Sequence, residues 1–390
     1  MLSHTSAAVV FPFLGKGIGG SHISTLILAE ELRRRGLDCF FLCPQGTRLQ
    51  KEVVFRGFPS FDTGEPPADG WSAIDDVLRC PARRNTLAAA IRNRESIVHC
   101  NDIAALRSWL PAAKSLAIPV IYHHRSLNRM SVPKRLLLSC ADHVICISES
   151  TFQNAAFISP ERISVILNPF QNSLTTIDRK RSAQELRREL DLESHQRLIG
   201  FVGNFWKRKR PDFFIEVASI MLRKVPTLHF AIFGRAGDIT REALECQVNA
   251  LGIAHCVSFL GFRTPPETNL AAVDLILAPA IGEPFGRTLL EAILLGTPYV
   301  ATRDAGHEEI FERWGGGVAV PRDATVQEFA AISLAALDRR NQLSLCADSC
   351  AQISQELSPR KHADKVISVY RRYPKETERK VETERLGVRG

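Results

Sequence analysis

Glu283-Pro-Phe-Gly-Arg-Thr-Leu-Leu-Glu291 sets two carboxylates on either side of a change from loop to helix. Gly286 marks the change, and Leu289, Leu290, Ala292 and Ile293 continue with helical spacing. The helix therefore starts between the acids. Its unpaired N–H groups and positive dipole end make a site for an anion. Glu283 precedes that site on the loop, and Glu291 lies about a turn and a half into the helix. One acid can bind hydroxyls on one side of a diphosphate, and the other hydroxyls on the far side. That is the shape of a nucleotide-sugar pocket. Two glutamates on an ordinary exposed helix start would carry no such meaning, so the surroundings decide. Leu-Ile-Leu-Ala-Pro at 275–279 reads as a buried strand running into the loop, and Gly296-Thr-Pro-Tyr-Val-Ala-Thr302 reads as the next strand. A strand–loop–helix–strand unit with acids at the strand's carboxyl end is where open α/β sheets bind ligands.

The same alternation of short apolar runs with longer amphipathic ones fills most of the 390 residues. It is the βα pattern of parallel sheets, in a chain long enough for two domains with separate cores. In the first half the spacing predicts strands at 7–13, 38–43, 97–100, 119–123, 143–147 and 163–166, with helices at 21–35, 104–117 and 133–140. Residues 57–70, rich in proline and glycine, read as a surface loop. The expected boundaries are a first domain over 1–170, a linker over 171–182 and a second domain over 183–358. A C-terminal helix follows over 359–373. The tail over 374–390 is charged, lacks apolar periodicity and is expected to be disordered.

Composition is that of an ordinary globular protein. The N-terminus has no basic region ahead of its first apolar run, and no run reaches the roughly 18 residues of a membrane span. A cytoplasmic protein is expected, with the inner face of a membrane as the place where its charge would act. The formal charge is +8, and residues 1–175 hold 19 lysines and arginines against 14 acids. Such a bias suits an anionic membrane surface or an anionic acceptor, or simply solubility. Nucleic acid fits poorly, because the cations are not interleaved with aromatics. Ten cysteines include no CxxC pair. Several, Cys39, Cys43, Cys100, Cys140 and Cys146, fall in apolar runs, where a free thiol is a small hydrophobe. His143 and Cys146 have a metal-like spacing, but strand alternation points them to opposite faces.

Two further segments carry chemistry. Gly15-Lys-Gly-Ile-Gly-Gly20 lies between a strand and a helix and fits a dinucleotide fingerprint. That fingerprint needs an acid at the end of the second strand. Here the strand ends Phe-Leu-Cys-Pro44, so the NAD-dependent alternative loses its ribose ligand. The same glycines let a backbone approach a phosphate. After the first strand of the second half comes Gly203-Asn-Phe-Trp-Lys-Arg-Lys-Arg-Pro-Asp212, with four consecutive cations. They are either a solvated loop or a diphosphate site. His99, His123 and His124 end strands of the first domain, and His22 follows the glycine loop. Alternation puts His123 and Arg125 on one face and His124 on the other. There is no Asp-x-Asp triplet to hold a metal on a diphosphate and no G-x-S-x-G elbow. Cations and a helix dipole are left to stabilise a leaving diphosphate.

From Val257 to Ile310 the chain resembles the retaining glycosyltransferases of family 4, also called glycosyltransferase group 1. Phe259-Leu-Gly261, the pair Glu283 and Glu291, Gly296-Thr-Pro298 and Gly306-His-Glu-Glu-Ile310 carry the likeness, and Lys209-Arg-Pro-Asp212 extends it. The resemblance implies a GT-B fold, an α/β architecture of two Rossmann-like domains facing each other across a cleft. Its last helix would cross back to the first domain. It implies hexosyl transfer from a nucleotide-sugar to a glycan or lipid-linked acceptor with retention of configuration, in polysaccharide biosynthesis, with no cofactor and no metal. It picks His123, His124, Lys209 and Glu283 as catalytic. It picks Gly19, Gly20, Gly203, Lys209, Arg210, Phe285, Gly286, Arg287 and Glu291 to hold the nucleotide and donor, Glu291 on the ribose. Two departures stand out. The family often has arginine after the glycine, where this chain has Asn204, so Lys207 or Arg208 would have to substitute. The family's donor-facing histidine falls, by counting from Pro119, on Arg125. Another GT-B enzyme, such as an epimerase or a phosphorylase with a pyridoxal-phosphate lysine, and a non-catalytic scaffold are the alternatives.

Overall fold

The computed structural model describes residues 8–15, 17–64, 73–92, 94–170, 177–263, 265–339, 343 and 347–373. Residues 171–176 of the expected linker, 65–70 of the expected loop and the whole 374–390 tail lie outside them. The chain divides into two units, Met1–Phe170 with Leu357–Gly390, and Gln171–Glu356.

The first unit is a seven-stranded parallel sheet in the order β3-β2-β1-β4-β5-β6-β7. The strands are β1 (Ala8–Pro12), β2 (Asp38–Cys43), β3 (Ser60–Asp62), β4 (Ser96–Cys100), β5 (Val120–His124), β6 (His143–Cys146) and β7 (Ile163–Val165). The connections carry α1 (Gly20–Arg34), α2 (Arg48–Phe55), α3 (Ala73–Ile91), α4 (Ile103–Ser115), α5 (Val132–Ser139) and α6 (Glu149–Asn154). Helices on both faces make the central strands apolar on both sides, which is why they read as unbroken hydrophobic runs. One core gathers Val10, Val98, Trp109 and Val144, and the other gathers Phe11, Leu28, Phe41 and Ile121. The second core is completed from the far end of the chain. α15 (Pro359–Tyr370) packs on α1 and inserts Ala363, Val366, Val369 and Tyr370.

The second unit is a six-stranded parallel sheet in the order β10-β9-β8-β11-β12-β13. Its strands are β8 (Arg197–Val202), β9 (Leu228–Phe233), β10 (Val257–Gly261), β11 (Leu275–Ala278), β12 (Tyr299–Thr302) and β13 (Val318–Val320). Its helices are α7 (Arg179–Glu189), α8 (Pro211–Lys224), α9 (Arg241–Ala250), α10 (Pro266–Ala271), α11 (Arg287–Leu295), α12 (Ala305–Trp314), α13 (Val326–Asp338) and α14 (Ala347–Glu356). In each unit the strand order reverses beside the first strand, between β1 and β4 and between β8 and β11. Those reversals open crevices at the carboxyl ends.

Three expectations need correcting. The 57–70 loop contains β3, a three-residue edge strand paired to β2; it is too short to show periodicity, and Pro59 precedes it. The linker is shorter than expected, because 179–182 form the first turn of α7, where the Asp178 side chain accepts from the Arg181 N–H. Cys140 is exposed at the end of α5 rather than buried in an apolar strand.

Candidate functional site

The site of the second unit is built by the two loops that leave the strands at the reversal. After β8 the chain passes Gly203, turns once at Lys207–Lys209 and enters α8 through Arg210 in a left-handed conformation. After β11 it runs through Glu283 to Gly286, which caps α11 at φ +83°. A side chain at Gly286 would also meet Ile310 Cδ1 at 2.6 Å, so both backbone and space require glycine.

Three backbone contacts hold the second loop. The Ile281 N–H donates to the Arg208 carbonyl at 2.8 Å, and the Gly282 N–H to Asp304 Oδ2 at 2.6 Å. The Gly306 N–H donates to the Glu283 carbonyl at 2.9 Å. Gly306 is obligatory here, because a Cβ would lie 2.7 Å from the backbone of both Glu283 and Phe285. Phe285 itself is buried.

Glu283 is thereby fixed, buried, with its carboxylate against two cations. Lys209 Nζ lies 2.7 Å from Oε2, and Arg208 Nη1 bonds the same oxygen. Burial alone would raise this carboxyl, but Lys209 and Arg208 hold it well below the usual carboxylate range. The stem of Lys209 crosses Gly203, with Cδ at 3.6 Å from where a Cβ would sit. A small pocket at the ends of β8 and β11 is lined by Lys209, Ala280, Thr288 and His307. His307 donates through Nδ1 to the Thr302 carbonyl at 3.3 Å, and burial lowers its pKa to about 4, which keeps it neutral. Glu291, also buried, pairs with Arg287 one turn earlier at 2.6 Å. Burial raises its pKa against the pull of Arg287.

The four cations separate. Arg208 and Lys209 converge on Glu283. Arg210 does not join them: its guanidinium lies 3.7 Å over the Phe213 ring. Lys207 is exposed, and its backbone N–H is held by Asp238. Asn204, at the position where arginine was expected, accepts from the Arg235 N–H. Sequence reasoning left Lys207 and Arg208 as alternatives for the second cation, and Arg208 is the one that reaches Glu283, whereas His307 was given no role. His307 stands inside Gly306-His-Glu-Glu309, but only the packing of α12 against the loop gives it a role.

The first unit has its own polar cluster, at the ends of β4 and β5. The Arg125 guanidinium can only donate, so His123 Nδ1, 3.1 Å from Arg125 Nη2, is an acceptor. His99 Nε2 then donates to the same atom at 3.1 Å, and His99 Nδ1 accepts from the Tyr370 hydroxyl at 2.6 Å. The proton of neutral His123 is left on Nε2, which has no partner among the described residues. His124 has spent both nitrogens, on Asn154 at 3.0 Å and on the Tyr122 hydroxyl at 3.4 Å. Burial and the Arg125 charge keep His99 and His123 well below the usual histidine range. Of the three histidines, His123 is thus the one with a donor to spare.

In the glycine loop the Gly19 N–H donates to His22 Nδ1 at 3.1 Å, and α1 begins at Gly20. Side chains at Gly15 or Gly17 would enter open space, so packing inside the unit does not demand glycine there. A second pocket, lined by Ile103, Tyr122, Ser126, Asn128, Met130 and Lys134, opens beside this cluster's strand.

Comparison with known proteins gives the same picture. Residues 182–356 match the glycosyl transferases group 1 family, and residues 18–171 match glycosyltransferase family 4. D-inositol 3-phosphate glycosyltransferase of Corynebacterium jeikeium is 35% identical over 133 residues, which span 32% of each chain. That of Corynebacterium glutamicum is 28% identical over 321 residues, 74% of this chain and 76% of the other. The first of these matches thus spans about a third of its relative's length. HepE of Anabaena, solved in complex with UDP and glucose, superposes with a TM-score of 0.79 at 21% identity, covering 93% of this chain and 98% of that one.

Proposed function

Since the chain belongs to the group 1 and family 4 glycosyltransferases of GT-B fold, we propose that it moves a sugar from a nucleotide-sugar donor to a glycan or lipid-linked acceptor with retention of configuration. The observation that carries this reading is the convergence of Arg208 and Lys209 on buried Glu283, beside the start of α11, at the strand reversal. Two cations and a helix N-terminus are what a leaving diphosphate requires. Arg208 takes the part of the arginine missing at Asn204.

In this reading Glu291 accepts from the ribose hydroxyls and Glu283 from hydroxyls of the sugar. The first unit takes the acceptor, in the pocket that Tyr122 and Lys134 line. The bond from the anomeric carbon to the diphosphate breaks, with an oxocarbenium-like centre between. The acceptor oxygen bonds to the same face, and its proton passes to the departing phosphate oxygen. No side-chain base is needed, in keeping with the neutral histidines. The protein acts in the cytoplasm, peripherally at an anionic membrane; among the described residues no helix is long and apolar enough to cross one.

A thermal-shift series with nucleoside diphosphates and nucleotide-sugars tests the donor. A cognate ligand at about 100 times its dissociation constant adds roughly 2.7 kcal/mol. No shift with any of them would remove the donor site. NMR of the product anomer then decides retention. Transfer is expected to survive EDTA; loss restored by magnesium or manganese would overturn the assignment of charge stabilisation to Arg208, Lys209 and α11.

A further inference from the structure

Between Ile103 and Ala141 the chain carries six lysines and arginines and no aspartate or glutamate. Three of those cations are spent within the first unit. Arg107 pairs with Asp76, Lys114 with Asp142, and Arg125 bonds Asn168 and His123. The other three, Arg129, Lys134 and Arg135, have no salt-bridge partner among the described residues. They surround α5, whose inner side sends Leu138 into the core while Leu137 and Met130 pack against it. Its outer side leaves Val132 69% and Leu136 64% exposed, one helical turn apart. Arg135 stacks its guanidinium 4.6 Å over Phe157, which holds that charge beside the apolar pair.

Single exposed apolar residues are common on protein surfaces. Phe55 on α2 is more exposed than either, at 86%, but it stands beside the ion pairs of Glu52 and Glu30 with Arg56. What distinguishes α5 is two apolar side chains on one face, three uncompensated cations and no carboxylate in the segment. That is the composition of an element that lies in a lipid headgroup layer, apolar residues inserted and cations on anionic headgroups. A helix of two turns buries too little to hold by apolar insertion alone, so the charges must contribute.

We infer that α5 and the loop before it, with Arg129, Val132, Lys134, Arg135 and Leu136, dock this protein on an anionic lipid bilayer. The inference deepens the peripheral location proposed above. It also gives the pocket of the first unit a direction, because Met130 and Lys134 belong to both the pocket wall and the docking segment. An acceptor anchored in the bilayer would meet the pocket at the membrane surface.

The test is flotation of the full chain with vesicles of phosphatidylcholine, alone or mixed with phosphatidylglycerol. The wild type should float with the mixed vesicles, not with the neutral ones, and added salt should release it. Lys134→Gln with Arg135→Gln should weaken partition on the order of thirtyfold. Val132→Ser with Leu136→Ser should weaken it by at least about tenfold. Phe55→Ser should leave it unchanged. Equal binding to neutral vesicles would overturn the inference. So would partition insensitive to both α5 variants, an equal loss in Phe55→Ser, or α5 variants that change only the oligomeric state in sedimentation velocity. Nucleoside diphosphate thermal shifts on the same variants report the second unit and should match the wild type. If wild type and variants all lack the shift while flotation behaves as stated, the donor reading fails and the docking surface stands.

Discussion

Glu283 and Glu291 share one short stretch, and both are buried, yet their proton affinities move in opposite directions. Glu283 faces two cations and is held below 4.5; Glu291 faces one, and burial prevails. The signs separate their effects. A depressed carboxyl stabilises the fold above its unfolded pKa, and that contribution is lost as pH falls below 4.5. A raised carboxyl contributes below 4.5, and its contribution is lost as pH rises through the raised value. Glu291→Gln should therefore leave the melting temperature unchanged or slightly higher. It should weaken nucleoside diphosphate binding by about 1.5–3 kcal/mol, the loss of one charge-assisted hydrogen bond. Calorimetry showing unaltered affinity would remove the ribose role. The cations give a sharper comparison. Lys209→Ala and Arg208→Ala should each lower kcat/KM by about two to three powers of ten. Lys207→Ala and Arg210→Ala, away from Glu283, should stay within about threefold. Four equal small losses would mean a solvated basic loop.

At the scale of elements, the site depends on how tightly the loop after β11 is held. Its backbone is bonded to the turn after β8 and to the start of α12, so three elements must agree for Glu283 to reach Lys209. Gly306 is where they touch. A methyl group there would press on backbone, which cannot rotate away as a side chain can. Gly306→Ala should cost about 1–3 kcal/mol as overpacking. That lowers the melting temperature by roughly 2–4 °C per kcal/mol for a domain of this size. It should also lower kcat/KM, since Glu283 and Phe285 move with the strain. Calorimetry and donor turnover on one preparation check both. Unchanged stability would mean the contact relaxes without the loop.

Across the whole molecule, buried neutral histidines are the widest electrostatic feature. Burial lowers His22, His143 and His307 from 6.5 to about 4 and His362 to about 3, and holds His99 and His123 well below 6.5. The unfolded chain takes up protons near 6.5 while the native one refuses them. Stability should therefore fall as pH drops from 6.5 toward 4, by about 1.4 kcal/mol per pH unit for each histidine fully in the window. Urea melts across that range check it, and a flat profile would mean that the native chain binds those protons. The first unit also depends on the chain's last helix. Removing 357–390 strips Val366, Val369 and Tyr370 from its core and the hydroxyl from His99. Hydrogen exchange should then rise in β1, β2 and β4 and stay unchanged in β8 to β13. A uniform rise would place the role of α15 elsewhere.

Periodicity and local chemistry determined a great deal by themselves. Buried parallel strands are continuous apolar runs, and helices start at glycines and caps, so the βα order, the two-unit division and the α11 start between Glu283 and Glu291 were legible. The identity of the partners was not. Which of four adjacent cations turns toward Glu283 depends on a left-handed residue at Arg210 and on the Ile281 contact. That His123 keeps a free N–H depends on Arg125 and on His99, 24 positions away, both of which bond its Nδ1. Edge strand β3 was hidden by its length. Sequence periodicity records which face of an element is apolar. It does not record which polar atoms face one another once distant elements pack, and those pairings set the charge, the tautomer and the free donor at the site.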